Sequence, residues 1–265
     1  MFRRITLKTP EEIELIKKSS LLVGKTLAEV AKAVKPGIPL ICLDRIGEQY
    51  ICDNHAVPSF KGYNGFPAAL CISVNDVVVH GIPDDSVLNE GDIVSIDCGV
   101  YLNGYHGDYA YTFAVGEISE AKRLLLQRTK ASLYEAIKVA VKGNTTGHIG
   151  HAVQHYVEQF GYGVVRDLCG HGIGKKLHEL PDIPNYGQPK KGDVLREGMV
   201  FCVEPMINQG TCRVYVEKDQ WTIRTRDGKP SAHFEHQLAI TAQGTEVLST
   251  YEYIEEILKK ENRLI

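Results

Sequence analysis

The sequence DCGVYLNGYHGD, residues 97–108, begins and ends with an aspartate and carries an Asn-Gly pair at 103–104. Asn-Gly between two runs of strand-forming residues predicts a β-hairpin with a two-residue turn. In that register Gly99 faces Asp108, and Asp97 points to the same side as Gly99 because side chains alternate along a strand. The two carboxylates are therefore expected to be diagonal neighbours across the hairpin.

The predicted proximity of these two aspartates has an electrostatic consequence. With the same turn, a spacing one residue longer or shorter would place them on opposite faces of the sheet. Two like charges held this close repel each other, which makes each carboxyl harder to ionise. The hairpin therefore predicts either a cation between Asp97 and Asp108 or a proton held by one of them.

The overall composition is that of an ordinary globular protein. Apolar residues make up 43% and charged residues 24% of the 265 residues, and a net charge of -3 offers no footprint for nucleic acid or an anionic membrane. No apolar run approaches the ~20 residues that span a bilayer, and the N-terminus shows no signal segment. The seven cysteines form no CxxC pair, which favours free thiols in a reducing compartment. We therefore expect a cytoplasmic protein that binds neither nucleic acid nor membranes.

Helical and strand patterns alternate twice along the chain. A capping box at Thr9–Glu12 opens a helix that ends before Pro36. Further segments of mixed polar and apolar or clearly helical character cover 43–54, 120–141 and 146–160. Strand-type runs follow each pair, first ALCISV, DVVVHGI, GDIVSIDCGVYL and YHGDYAYTFAV, then GMVFCVEPMI, WTIRTR and FEHQLAITA. This order predicts an α+β fold with a duplicated unit and, since no linker divides it, a single domain over residues 1–265.

Three further candidate residues lie in the β-rich parts of the sequence. Glu204 in VFCVEPM and Glu235 in HFEHQLAI stand in apolar runs, where charged residues are almost never fully buried unless paired or metal-bound. His171 lies in CGHGIGKKLHE. For Glu235, which His233 and His236 flank, a solvent-facing position explains the pattern equally well. For Glu204 and the aspartate pair, a functional role is the better explanation.

Four carboxylates and one imidazole form a set suited to metal binding: Asp97, Asp108, His171, Glu204 and Glu235. Four negative charges balance two divalent cations, and oxygen ligands with one nitrogen favour Mn, Fe, Co or Zn over thiolate-seeking ions. Two such cations can share a bridging water and deliver it as hydroxide near neutral pH. The residue types therefore predict a hydrolytic metal centre, although residue type alone does not bring the five side chains together.

Two other motifs are better explained without a catalytic or ligand-binding role. HAVQH, residues 151–155, has the histidine spacing of a zinc protease helix but lacks the glutamate after the first histidine, so a polar helix face is predicted. GHGIGK matches neither the dinucleotide-binding fingerprint nor the P-loop. The cysteines have no activating neighbour in the sequence and are interpreted as packing residues.

Taken together, VVVHGIPDD, IDCGVYLNGYHGD, CGHGIGKKLHE, VEPMI and FEHQLAIT resemble the ordered motifs of type I methionine aminopeptidases of the bacterial kind. The resemblance covers nearly the whole chain. It implies a pita-bread fold, in which two pseudo-twofold halves of helices and antiparallel strands surround a curved central sheet. It also implies removal of the initiator methionine from nascent proteins with a small second residue, by attack of a water that two metal ions activate.

The resemblance further implies roles for individual residues. The metal ligands would be Asp97, Asp108, His171, Glu204 and Glu235. His80 would contact the substrate amine or the scissile amide, and His178 would hydrogen-bond the carbonyl oxygen as charge develops on it. Glu204 would also relay protons to the leaving amine. From the sequence alone, His80 in HGIPDD is typical of an exposed loop histidine.

The same resemblance implies a methionine pocket suited to an unbranched thioether. Its lining would be Tyr63, Phe66, Cys71, Leu177 and Trp221, with Phe60 on the rim. Leu177 stands where an aromatic is common, His233 where a glutamine is usual, and Phe60 where some members have a cysteine. These differences concern pocket shape and substrate stringency. A monovalent cation site is implied near Asn75, Val77 and Ser231.

The expected partners are nascent polypeptide N-termini, with the ribosome as a further partner and a monomer as the expected state. One alternative is a proline-specific aminopeptidase or creatinase-like hydrolase of the same fold, and such enzymes carry an additional N-terminal domain. Another is a pita-bread binding protein that has lost catalysis and, with it, some metal ligands. Because all five ligand positions are filled here, the sequence favours the enzyme.

Overall fold

The computed structural model describes residues 4–264, which form five α-helices and four antiparallel sheets. The helices are α1 (Pro10–Ala31), α2 (Leu40–Asp53), α3 (Glu120–Val139), α4 (Thr146–Glu158) and α5 (Glu252–Lys260). Helix α1 begins at the predicted capping box, where the Thr9 hydroxyl accepts from the Glu12 N–H and the Glu12 carboxylate accepts from the Thr9 N–H. Across residues 4–264, no helix combines the length and the apolar character needed to cross a bilayer.

The strands are short apart from one long hairpin. In chain order they are β1 (Val57–Pro58), β2 (Leu70–Val74), β3 (Val77–Val79), β4 (Ile93–Leu102), β5 (Tyr105–Ala114), β6 (Gly163–Val164), β7 (Gly170–Gly172), β8 (Glu179–Ile183), β9 (Val200–Val203), β10 (Met206–Asn208), β11 (Val214–Val216), β12 (Ile223–Thr225), β13 (Ser231–His233), β14 (His236–Thr241) and β15 (Gly244–Val247). In the first sheet β4 pairs with β1, β2 and β5, and the largest sheet has the order β15-β14-β9-β7-β8. Two smaller sheets have the orders β13-β10-β6 and β11-β12-β3. Each helix pair thus precedes a group of antiparallel strands, as the sequence predicts.

Strands β4 and β5 form the hairpin predicted from the Asn-Gly pair. Asn103 has φ 54° and Gly104 has φ 86°, and both signs are those that a two-residue type I′ turn requires. Gly99 pairs with Asp108 in the predicted register. The prediction of a hairpin that carries Asp97 and Asp108 on one face is confirmed.

A single cluster of buried apolar side chains receives residues from all five helices. Leu27, Leu43, Leu133, Ile149 and Ile254 come from α1 to α5 in turn, and each is 0% exposed. Burying one such side chain contributes about 1.5–3 kcal/mol to the free energy of unfolding. The helices are therefore attached to the sheets chiefly through this shared core.

Three features differ from the predicted elements. Helix α2 begins at Leu40, three residues before the predicted segment. The apolar runs around Glu204 and Glu235 each divide into two strands, β9 with β10 and β13 with β14. Helix α5 was not predicted from the sequence. It nevertheless has glutamates in its first turn and lysines in its last, and both favour a helix through their interaction with its dipole.

Candidate metal centre and substrate cleft

Three carboxylates meet at the β4–β5 hairpin. Asp97 projects from β4 and Asp108 from β5, and Glu235 approaches them from the two-residue break between β13 and β14. One carboxylate oxygen from each of the three lies within 4.8 Å of the other two. Asp108 is 3% and Glu235 is 2% exposed, so water stabilises neither charge. This grouping joins residues more than a hundred positions apart in the sequence.

Glu204 and Glu235 occupy matching breaks in two antiparallel strands. Strands β9 and β14 pair up to Val203 and His236, and beyond the break β10 pairs with β13. Pro205 follows Glu204 and has no N–H to donate to a ladder, so regular pairing stops there. Both glutamates therefore lie where the two strands leave one sheet for the next.

His171 is held between two glycines in β7. A Cβ at Gly170 or Gly172 would lie 2.3 Å or 2.2 Å from a neighbouring carbonyl oxygen, so only glycine allows this close approach of strands. The His171 Nδ1–H donates to the Gly172 carbonyl at 3.0 Å, which leaves Nε2 as the atom with a free lone pair. Nε2 lies 3.8 Å from Asp108 Oδ2 and 3.7 Å from Glu204 Oε1. His171 therefore presents a metal-ligating atom to the carboxylates.

Burial and mutual repulsion raise the pKa values of these carboxyls. Burial raises the pKa of Asp97 to about 7. The pKa of Asp108 is raised well above its usual range by burial and then by the charges of Glu235 and Asp97. Burial also dominates the raised pKa values of Glu204 and Glu235, with neighbouring carboxylates adding to it. Burial lowers the pKa of His171 to about 3, so its imidazole is neutral at pH 7.

The residues present fit divalent cations. Asp97 Oδ1, Asp108 Oδ1, Glu235 Oε1 and His233 Nε2 are buried and have no hydrogen-bond partner among residues 4–264. A buried polar atom without a partner is costly, and a carboxylate more so. A cation would pair with the free oxygens and favour the ionised carboxyls. Carboxylate oxygens with one neutral imidazole are also ligands that divalent metals of intermediate softness accept.

The carboxylate cluster opens into a cleft of about 940 Å³. All predicted ligand, catalytic and pocket residues line this cleft: Phe60, Tyr63, Phe66, Cys71, His80, Asp97, Asp108, His171, Leu177, His178, Glu204, Trp221 and Glu235. The Trp221 ring packs edge-on against Phe66 with 5.2 Å between centroids, and Leu177 is 2% exposed. Cys71 pairs directly with Asp97 across β2 and β4. The apolar part of the cleft therefore begins beside the carboxylates.

His80 directly follows β3 and adopts a left-handed backbone conformation with φ 58°. For a residue other than glycine this conformation is uncommon and costs about 1–3 kcal/mol. The ring is half-buried and faces the Trp221 ring at 6.3 Å, and burial lowers the pKa of His80 to about 4. His80 lies in a loop, as the sequence alone suggests, but the expectation that it is exposed is wrong.

His178 is oriented by a tyrosine. Its Nδ1 lies 2.7 Å from the Tyr63 hydroxyl, and its ring meets the His171 ring edge-on with 4.2 Å between centroids. A neutral histidine that accepts this hydrogen bond at Nδ1 carries its proton on Nε2. The ring can then donate a hydrogen bond into the cleft.

Several residues that support the cluster had no assigned role in the sequence analysis. His233 Nε2 lies 3.8 Å from Glu204 Oε2 and 3.9 Å from Glu235 Oε2. The Asn185 side chain donates to the Glu204 carbonyl, and the Gln237 side chain accepts from the Asp108 N–H. The motif HFEHQ could have indicated a supporting role for His233 and Gln237, because both lie within two residues of Glu235. The sequence around Asn185 gives no such indication.

Cys202 also lies close to the cluster. One atom each from His171, Cys202 and Glu235 fall within 4.8 Å of one another. Burial raises the pKa of the Cys202 thiol well above its ordinary value, and the thiol donates to the Asp108 carbonyl, with Sγ 3.7 Å from that oxygen. The carboxylates and His171 are the better donors.

The residues expected at a monovalent cation site lie apart from the cleft lining. The Ser231 N–H donates to the Asn75 carbonyl at 2.8 Å, and Val77 pairs with Arg224. Lys122 Nζ lies 2.9 Å from the Asn75 side-chain oxygen and 2.6 Å from the Gly91 carbonyl. An ammonium group thus already donates to two oxygens beside this region.

Comparison with known proteins connects the sequence to one group of enzymes. The sequence profile of metallopeptidase family M24 matches residues 14–242. A methionine aminopeptidase from Clostridium acetobutylicum is 50% identical over 249 residues, which cover 94% of this chain and all of that protein.

Solved structures agree with the sequence match. The methionine aminopeptidase from Thermotoga maritima has a TM-score of 0.91 at 44% identity, and the alignment covers 93% of this chain and 100% of that chain. The prolidase from Pyrococcus furiosus has a TM-score of 0.75 at 26% identity, covering 93% of this chain but 66% of that chain. The expected pita-bread α+β fold is confirmed by these matches.

Proposed function

This chain belongs to metallopeptidase family M24, and we propose that it is a methionine aminopeptidase that uses two divalent cations to remove the initiator methionine from nascent proteins. The observation that carries the proposal is the meeting of four carboxylates and a neutral imidazole in a cleft that has an apolar part beside them. Asp97, Asp108 and Glu235 would hold both ions between them. His171 and Glu204 would complete the coordination of one ion.

The division of chemical roles follows from the groups present. When bound, the cations supply activation of the attacking water and polarisation of the scissile carbonyl. Co, Mn, Fe and Zn all suit this donor set, and cellular supply selects among them. His171 serves as a ligand because its Nδ1–H is already bound to the Gly172 carbonyl. Glu204 would pass a proton to the leaving amine.

The two cleft histidines would act on the substrate directly. His178, with Tyr63 on Nδ1, would donate from Nε2 to the carbonyl oxygen as negative charge develops on it. His80, whose pKa burial lowers to about 4, is neutral at pH 7 and can hydrogen-bond the scissile amide or the substrate amine. Neither group needs to change charge before the substrate binds.

The cleft lining accounts for the choice of methionine. Phe66, Leu177 and Trp221 form an apolar slot beside Cys71, which suits a flexible, polarisable thioether. Because Cys71 pairs with Asp97, a side chain in this slot places its own peptide bond next to the carboxylate cluster. Phe60 would bound the slot at its rim.

We also propose the setting in which the enzyme works. Its substrates would be N-termini of nascent proteins with a small second residue, so the enzyme would act in the cytoplasm, close to the ribosome and as a monomer. A monovalent cation would bind near Asn75, Val77 and Ser231, beside the Lys122 ammonium that contacts the Asn75 side chain.

An activity assay tests the proposed function. Protein stripped with a chelator and reloaded with Co or Mn should cleave Met-Ala-Ser far faster than Ala-Pro-Ala. Asp97→Ala should abolish the cleavage, because it removes one of the three carboxylates that would hold the ions. Faster cleavage of Ala-Pro-Ala would indicate a proline-specific enzyme, and no cleavage with any metal would indicate a binding protein.

A further inference from the structure

Tyr251 lies beyond residues 14–242, which the family profile matches, yet its hydroxyl reaches the back of the carboxylate cluster. The hydroxyl oxygen is 2.9 Å from the Glu235 nitrogen, 2.8 Å from the Glu235 carbonyl and 2.9 Å from the Ala110 carbonyl. The Glu235 N–H donates to the hydroxyl, and the hydroxyl donates to one of the two carbonyls. One side chain thus contacts both polar groups of the Glu235 backbone and accepts from its N–H.

The position of Ala110 links this contact to the aspartates. Ala110 lies on β5 directly opposite Asp97 and two residues after Asp108. Glu235 sits in the break between β13 and β14, and its backbone N–H also lies 3.1 Å from the Ala110 carbonyl oxygen, to which it donates. The Tyr251 hydroxyl therefore reinforces a direct backbone link between Glu235 and the strand that carries Asp108.

Tyr251 is itself held firmly. It is 3% exposed, and its ring stacks on His236 with 4.0 Å between centroids and meets Tyr111 edge-on at 4.9 Å. Lys130 Nζ lies 5.4 Å from the centre of the ring and forms an ion pair with Glu255 of α5. Because Tyr251 immediately precedes α5, the docking of that helix and the position of the hydroxyl are coupled.

We propose that Tyr251 is a positioning residue for the metal centre. Its hydroxyl fixes the Glu235 backbone so that the Glu235 carboxylate meets those of Asp97 and Asp108. Docking of α5 and cation binding then support each other, since coupling between two binding events is reciprocal. The inference rests on the proposed function, because it concerns a proposed ligand. Groups that orient metal ligands typically contribute 10–100-fold to metal affinity.

The test compares two tyrosine hydroxyls. Tyr251→Phe keeps the ring and removes the contact with Glu235. Tyr109→Phe is the matched control, because the Tyr109 hydroxyl donates to the Thr250 carbonyl at 2.8 Å and so anchors the same segment without touching Glu235. Calorimetric titration with Mn(II) should give a dissociation constant raised about tenfold or more for Tyr251→Phe, and changed less than about twofold for Tyr109→Phe. The visible absorption bands of the Co(II)-loaded protein should change only in Tyr251→Phe.

The outcomes separate this inference from the proposed function. If wild type binds Mn(II), Asp97→Asn loses that binding, and the two tyrosine variants bind alike, the positioning role of Tyr251 is wrong and the proposed function stands. If wild type takes up no cation, both fail. Should Tyr251→Phe not fold, hydrogen exchange of wild type decides. Mn(II) should slow amide exchange over 249–258, and exchange that Mn(II) leaves unchanged would refute the coupling.

Discussion

The carboxylates of Asp97 and Asp108 share one face of the β4–β5 hairpin, with oxygens within 4.8 Å of each other. Burial raises the pKa of both groups, and their mutual charge adds to the rise for Asp108. A divalent cation reverses this balance, because it favours the ionised form of each carboxyl. The same pair therefore destabilises the metal-free protein at neutral pH and creates its affinity for cations.

Asp97→Asn is expected to stabilise the metal-free protein at pH 8. The pKa of Asp97 rises on folding from an ordinary 3.8 to about 7, so its stabilising contribution is complete below about pH 4 and is lost as the pH rises to 7. At about 1.4 kcal/mol per pKa unit, the variant should gain about 1–4 kcal/mol in free energy of unfolding at pH 8. Urea unfolding of chelator-treated proteins measures this gain.

The gain should shrink toward zero at pH 4.5, where the wild-type carboxyl is protonated. Adding Mn(II) at pH 8 should reverse the order of stability, because only wild type retains the full ligand set. A variant less stable than wild type at pH 8 without metal would contradict the raised pKa of Asp97.

Cation binding is expected to release protons. At pH 6 the carboxyl of Asp97 holds a proton, since burial raises its pKa to about 7, and a cation must displace that proton. His171 contributes none, because its pKa of about 3 leaves it neutral. Affinity for Mn(II) should therefore increase from pH 6 to pH 8. Calorimetry at pH 6 in two buffers of different ionisation enthalpy counts the protons, and identical heats in both buffers would show that none is released.

Much of this site was predictable from sequence because its key geometry is local. The two-residue turn at 103–104 fixes the register of β4 and β5, and the register fixes which face Asp97 and Asp108 occupy. The capping box at Thr9 likewise fixes the start of α1 within a few residues. In both cases the deciding contacts lie within about ten residues of each other.

Contacts between distant elements could not be predicted in this way. From the sequence, a solvent-facing position explains Glu235 equally well, and its burial becomes evident only from its contact with Ala110 of β5. The left-handed conformation of His80 is not marked by any turn signal that was recognised in its motif HGIPDD. Tyr251 acquires its contact with Glu235 only when α5 docks on the core.

His178→Ala is expected to reduce kcat/KM for Met-Ala-Ser by about 10²–10³, the usual effect of removing one donor to a developing oxyanion. Tyr63→Phe should cause a smaller loss, because it frees His178 Nδ1 without removing the ring. In a double-mutant cycle, Tyr63→Phe should have almost no further effect on the His178→Ala background. Additive losses in the double variant would show that Tyr63 does not act through His178. As a control, both single variants should bind Mn(II) with the wild-type affinity.

Leu177→Ala is expected to relax the preference for methionine. Leu177 is a buried side chain in the apolar slot, so its truncation leaves space that a larger side chain can fill. Loss of apolar contact should lower kcat/KM for Met-Ala-Ser by about 10–200-fold and should raise the relative rate for Phe-Ala-Ser. Leu133→Ala, a truncation in the main core, should lower stability and leave the ratio of the two rates unchanged. If Leu177→Ala leaves the ratio of the rates for Met-Ala-Ser and Phe-Ala-Ser unchanged, the methionine side chain does not bind against Leu177.

The position of the cations can be observed directly by anomalous diffraction from crystals of wild-type protein soaked in Mn(II). We predict two anomalous peaks, both enclosed by the side chains of Asp97, Asp108, His171, Glu204 and Glu235. Peaks at other places only, or no peak among these five residues, would contradict the two-cation centre and with it the proposed chemistry.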